Sequence, residues 1–228
     1  MNSRFAAAIT ACAILVPAQT VSEVEITAEP HHHLVLENRY LRVFKVEVAA
    51  HEATLMHRHR HDYVYVTLGA TEISNEVEGK PPAAIKLQDG EVKFTPGNFA
   101  HIARDLAATP FRNLTIEFLQ PRPSRQWKQE RELQVFSGGT QHILFVEDGV
   151  RVSEIELQSA GVLPKHHHSG PHLVVALTDL VIRSQVPGAT GSNIELKAGD
   201  VKWVPAGFTH TLTNVGDQMA KFVTLEFH

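Results

Sequence analysis

Displaced by 109 residues, the chain falls on itself without a gap, and histidines fall on histidines. Arg42-Val43 lands on Arg151-Val152, His57 on His166, His59 on His168, Gly90 on Gly199, Pro96 on Pro205, His101 on His210 and Glu117-Phe118 on Glu226-Phe227. Self-similarity at one fixed period means two copies of a single folding module. It also singles out the coincident histidines as candidates for a metal site, because fifteen of the 228 residues are histidine.

Each copy reads as strands. Phe44, Val46 and Val48 alternate with charged residues, and Ile155 and Leu157 keep that pattern in the second copy. At the module ends, Leu114, Ile116 and Phe118 match Val223, Leu225 and Phe227, again at period two. Alternation of this kind, punctuated by Gly/Pro turns, predicts an all-β chain of short strands closed into barrels or sandwiches. Each copy is long enough to bury a core of its own. The predicted domains span 34–119 and 136–228. A linker at 120–135 carries two prolines and several charges, and an arm at 19–33 ends in His31-His32-His33, a run read as solvated.

The balance of 21 basic against 25 acidic residues, a formal net charge of -4, offers no basic stripe for nucleic acid. Residues 5–16 form an apolar stretch behind Arg4, followed by the small-residue pattern Val16-Pro17-Ala18, so residues 1–18 read as a signal peptide and the mature chain as periplasmic or secreted. That stretch falls short of the ~20 residues needed for a membrane span, and no other segment reaches that length. Ile9-Thr10-Ala11-Cys12 has the look of a lipoprotein box, but the apolar run continues past it, which favours plain secretion. Cys12 is the only cysteine, so the cleaved chain has neither disulfide nor thiol chemistry.

Side chains two apart on a strand share a face. His166 and His168 therefore point the same way, His172 keeps their parity, and His210 comes from a second strand. His167 points away. Four inward imidazoles suit a divalent transition metal (manganese, iron, nickel, copper or zinc) rather than magnesium or calcium. In the first copy the offset leaves His57, His59 and His101, with Tyr63 opposite His172. Water, a Tyr63 phenolate, His61 or Asp62 are the alternatives for the fourth place, and Tyr63 and Asp62 are also the candidates for an acid–base role. Met56, Arg58 and Arg60 interleave with these histidines, so the alternative is a degenerate pocket with the arginines outside. Protons compete with metal for imidazole, which predicts loss of affinity below the ~6.5 of free histidine.

These residues resemble the two-motif signature of the cupins. Gly199, Pro205, Gly207, His210 and Asn214 fit the second motif, G-x5-P-x-G-x2-H-x3-N, at every fixed place. His166 and His168 take the paired-histidine places of the first motif, G-x5-H-x-H-x3-E-x6-G. There the usual glutamate is replaced by His172, the spacing from Gly161 is one residue short, and Asp179 stands for the final glycine. The first copy fits more loosely, with Asn98 and Asp105 in the second motif's later glycine and asparagine places. The resemblance covers about residues 34–228 and implies two tandem cupin barrels (double-stranded β-helix, jelly-roll), a bicupin.

A cupin barrel hosts many activities. Bicupins resembling oxalate decarboxylase keep the carboxylate that His172 replaces, so the resemblance argues against that activity. A four-histidine site is more similar to small metal cupins of oxygen-dependent chemistry. The expectation is an exported metal-dependent enzyme of oxygenase or related type acting on a small organic acid, enol or phenolic. The alternatives are a non-catalytic bicupin that binds a small ligand and a structural one that packs into a homo-oligomer.

Overall fold

A computed structural model describes residues 22–120 and 132–227. The signal-peptide reading and most of the linker lie outside the described residues. Ten strands form the first copy: β1 (Val24–Glu25), β2 (His32–Glu37), β3 (Leu41–Val48), β4 (His57–His59), β5 (Tyr63–Thr67), β6 (Thr71–Val77), β7 (Ala83–Leu87), β8 (Val92–Thr95), β9 (Phe99–Asp105) and β10 (Phe111–Phe118). Ten more form the second: β11 (Leu133–Phe136), β12 (Gly139–Glu147), β13 (Val150–Leu157), β14 (Val162–His168), β15 (His172–Ala176), β16 (Leu180–Gln185), β17 (Ser192–Leu196), β18 (Val201–Val204), β19 (Phe208–Asn214) and β20 (Ala220–Phe227).

Two sheets make each copy. In the first they run β1-β4-β9-β6-β7 and β2-β3-β10-β5-β8; in the second, β14-β19-β16-β17 and β11-β12-β13-β20-β15-β18. The orders correspond strand for strand except at two places. β1, from the arm, pairs in parallel with β4, and β11 extends the second copy's larger sheet through β12.

Apolar alternation has a purpose that the sequence left open. The largest apolar cluster lies between the copies. Leu41, Val43, Val64, Val66, Leu114, Ile116 and Phe118 of the first copy meet Val150, Val152, Leu173, Val175, Val223, Leu225 and Phe227 of the second. Each residue of the first set is the 109-residue counterpart of one in the second, so the two faces are the same surface used twice. Phe94 and Trp203 pack at its edge. Each copy keeps a smaller core inside its own sheets, with Phe44, Val46, Ile73 and Phe111 in the first and Ile155, Ile182, Leu212 and Phe222 in the second.

The opposite face of each end strand points into its own copy and carries polar residues toward the strand's end. On β10 these residues are Asn113, Thr115 and Glu117, all buried. The motif glycines serve the turns between strands. Gly199 and Gly207 have φ of 82° and 85°, and Asn98, in the place of Gly207, has φ of 65°. Asparagine is one of the few residues with a side chain that tolerate this region.

Candidate metal centres

Strand register brings the histidines together. His57 lies opposite His101 on β4 and β9, and His166 lies opposite His210 on β14 and β19. Parity then turns His59 and His168 to the same side.

In the second copy the Nδ1 atom of each of the three histidines faces an oxygen. Pro164 O is 2.7 Å from His166, Ser184 Oγ is 2.8 Å from His210, and Glu226 Oε1 approaches His168 to 3.4 Å. A neutral imidazole carries one N–H. With that proton on Nδ1, all three Nε2 atoms present lone pairs, and they converge: His210 Nε2 is 3.0 Å from His166 Nε2 and 3.2 Å from His168 Nε2.

The first copy repeats the Nδ1 contacts and, among its Nε2 atoms, the close approach of one pair. Leu55 O sits 2.9 Å from His57 Nδ1, Asn75 Oδ1 2.7 Å from His101 Nδ1, and Glu117 Oε1 3.4 Å from His59 Nδ1. His59 Nε2 and His101 Nε2 are 3.2 Å apart, and His57 Nε2 is buried without a hydrogen-bond partner.

Two Nε2 atoms at these distances are bridged either by one imidazole N–H or by a cation between them. A proton is a poor choice, because burial lowers the pKa of His210 and of His57 to about 3 and pushes that of His101 well below the ordinary value. A divalent ion with bonds of about 2.1 Å places adjacent ligand nitrogens roughly 3 Å apart, which is the spacing of His210 to both partners in the second copy and of His59 to His101 in the first. The histidines therefore fit a transition metal in both copies. Proton competition should begin well below the ~6.5 expected for free histidine.

Behind each centre stands a pair that the sequence displayed but did not assign. Glu117 faces Arg42 across β10 and β3, and Glu226 faces Arg151 across β20 and β13. Arg42 Nε donates to Glu117 Oε2 at 2.6 Å, and Arg151 bonds Glu226. Burial pushes the Glu226 carboxyl up, but His168 and Arg151 outweigh it and hold the group at about 2. An anionic carboxylate behind a ligand histidine fixes its tautomer and raises its basicity. All four residues coincide at the 109-residue offset, which was the signal available to find them.

No protein-family model and no curated protein matches the chain. Solved structures do. A Lactobacillus farciminis oxalate decarboxylase in complex with formate superposes with a TM-score of 0.62 at 11% identity, covering 86% of this chain and 84% of that one. A Bacillus subtilis oxalate decarboxylase, described through its Mn(II) centres, gives 0.61 at 12% identity over 86% of this chain and 76% of that one. The fold is that of a bicupin.

Within this bicupin, the residue at the motif's glutamate place stacks on a ligand histidine. Tyr63 lies flat on His59 with centroids 4.3 Å apart, and His172 lies flat on His168 at 3.9 Å. Among the described residues, the converging group in the second copy is His166, His168 and His210. His172 lies beside that group, buried, with Nδ1 unpartnered. Burial drives the Tyr63 phenol up, and its hydroxyl bonds to Thr95, so a neutral phenol rather than a phenolate faces this cavity. Asp62 is not brought into the site. Its Oδ1 accepts from Gly97 N at 2.7 Å and braces a turn. His61 does not line the first cavity, and His167, exposed at the border of the second, bonds Thr209 Oγ1 at 3.0 Å rather than joining the three ligand histidines.

The cavities above the two centres differ. The first measures about 160 Å³ and is lined by Tyr63, Tyr65, Thr95 and Phe99 among others. The second measures about 740 Å³. In it Val174 and Val204 replace Tyr65 and Thr95, and Arg151 and Lys202 are the cations among its lining residues. Lys202 forms no ion pair among the described residues, whereas its counterpart Lys93 is paired with Glu91 at 2.6 Å.

Proposed function

We propose that this bicupin is a metal-dependent enzyme of oxygenase or related type on a small organic acid, enol or phenolic, with the C-terminal cavity as its working site. One observation carries the reading: the Nε2 atoms of His166, His168 and His210 converge where a cavity of about 740 Å³ opens, with Lys202, which forms no ion pair among the described residues, on its wall. His166, His168 and His210 would hold the metal, and His172 stands ready beside them. The metal supplies Lewis acidity and a place for an anionic substrate or dioxygen. Lys202 attracts the substrate's negative charge, and the walls of Ile155, Ile182 and Leu212 exclude water from its apolar body.

The site's acid–base equipment narrows the reaction. Replacing CO2 by hydrogen on a substrate carbon requires a proton donor, and Glu226, the carboxylate against His168, is held anionic by its partners, which leaves the Lys202 ammonium, a far weaker acid. This supports oxidation over a simple decarboxylation, although oxalate decarboxylases share the fold. The same shortage favours a second reading, a bicupin that binds its ligand without turning it over. Export is part of the proposal and rests on residues 1–18; the mass of the mature N-terminus tests it.

The deciding experiment measures metal per chain in the wild type, His168→Ala and His59→Ala, then dioxygen consumption with a panel of small carboxylic acids, enols and phenols. Two metals per chain are expected in the wild type and one in each variant, with turnover abolished by His168→Ala and surviving His59→Ala. Ligands that raise Tm without any turnover would establish the binding module instead.

A further inference from the structure

The arm ahead of the first copy carries a histidine run that the sequence reads as solvated, and the structure places its middle member inside. The His32 side chain is 4% exposed and lines the N-terminal cavity, while His33 points out to solvent. Ile26 of the same arm is fully buried in the first copy's core. Glu29, three residues ahead of His32, has no exposed side-chain surface.

Glu29 is fully engaged. One carboxylate oxygen accepts from His31 Nδ1 at 2.9 Å and Leu55 N at 3.1 Å. The other accepts from His31 N at 2.8 Å and His32 Nδ1 at 2.6 Å. This contact assigns the His32 proton to Nδ1 and leaves Nε2 as a lone pair. A buried carboxylate that orients an imidazole in this way is the usual support of a metal-ligating histidine.

His32, His57 and His59 each offer a ligand atom within 4.8 Å of the others. The widest pair around one ion with bonds of about 2.1 Å is roughly 4.2 Å, so a small inward shift joins them. The motif supplies this copy with three imidazoles, and Tyr63 stands where the second copy has His172, which stacks on His168 outside the converging group. The second copy has Gln141 at the place of His32, and Gln141 lines the larger cavity.

We infer that His32, lying outside both cupin motifs, is the fourth imidazole ligand of the N-terminal metal, and that the bound ion pins the arm over that cavity. The inference rests on the reading that the N-terminal triad holds a metal. The arginines between the motif histidines serve the same end from outside. Arg58 pairs with Glu23 and Arg60 with Glu25, and Val24 aligns with His57 in the parallel pairing of β1 with β4. The arm is thus held by ion pairs on its solvent side and by His32 within. The N-terminal centre becomes a closed four-nitrogen site, and the C-terminal centre stays open.

The test uses full-length protein carrying His168→Ala, which silences the C-terminal centre, and Co(II) as probe. Affinity comes from chelator competition and ligand geometry from the visible absorption bands. This background is expected to bind one Co(II). Adding His32→Gln should weaken binding at least tenfold and change the spectrum. Adding Glu29→Gln should weaken it 10–100-fold with the spectrum retained. In the background protein itself, chelation should speed cleavage of the arm by a glutamate-specific protease at least tenfold. An unchanged affinity and spectrum in His32→Gln, or an arm cut equally fast with and without metal, would overturn the inference. A background that binds no Co(II), or binding indifferent to an added His59→Ala, would overturn the N-terminal metal itself.

Discussion

The two copies share a fold, a triad of histidines and an Arg–Glu pair behind it, yet the cavity beside one centre is small and that beside the other is large. Tyr65 and Thr95 narrow the first cavity to about 160 Å³, and the arm brings His32 into its lining. Val174 and Val204 leave the second at about 740 Å³. What stayed equal is the histidine triad and the pair behind it, and what diverged is the space beside them. The contrast shows that a duplicated module can keep the same histidines in both copies while the cavity beside them diverges.

The largest effect that bears on this comparison concerns what the copies do jointly. Ile116→Ala and Leu225→Ala truncate counterpart residues on the shared apolar surface and should each cost about 2–5 kcal/mol. Urea unfolding should remain a single transition in both variants. Two separated transitions would mean that the copies are energetically independent despite their common core.

A smaller effect should separate the two centres. Glu226→Gln is expected to lower metal affinity about 10–100-fold at the C-terminal centre alone, and Glu117→Gln to do the same at the N-terminal centre alone. Chelator competition on each variant, with the opposite triad disabled by His59→Ala or His168→Ala, measures this. Loss at both centres from one substitution would show that the carboxylates act through the shared core.

The smallest effect is a pH dependence of the metal-free protein. Burial lowers the imidazole pKa of His57 in the first copy, and of His172 and His210 in the second, to about 3. In the unfolded chain these groups protonate near 6.5. Below that value the unfolded state binds more protons, so stability is fully present above about pH 6.5 and falls as pH drops toward 3. The urea midpoint of chelated protein should be flat from pH 8 to 6.5 and decline below. His57→Ala and His172→Phe should each remove at most about 1.4 kcal/mol per pH unit from that slope.

The sequence spoke most clearly where its period and the strand period coincided. The 109-residue self-match and the alternation of Leu114, Ile116 and Phe118 predicted paired strands, and parity placed His57 with His59 and His166 with His168. Two kinds of information were missing. Parity says which residues share a face but not what that face meets, so the apolar side of β10 read as the interior of its own copy rather than as a surface between copies. Register across strands distant in sequence was also hidden. It sets Glu117 opposite Arg42 and carries His32, on β2, to the cavity through pairing with β3. A run of three histidines looks solvated because local pattern cannot report that Glu29 is buried three residues earlier.

The shared surface also sets a timetable for synthesis. β20, the strand bearing Val223, Leu225 and Phe227, lies between β13 and β15 and is the last of the described strands. Phe118 therefore awaits its counterpart Phe227 for 109 residues of further translation, roughly 5–20 s at ordinary ribosome speeds. Through that interval a nascent first half displays a bare, greasy flank whose best surrogate cover is the same flank on a neighbouring polysome chain. A holding chaperone, or a delay of folding until the whole polypeptide has been released, keeps such chains from swapping halves.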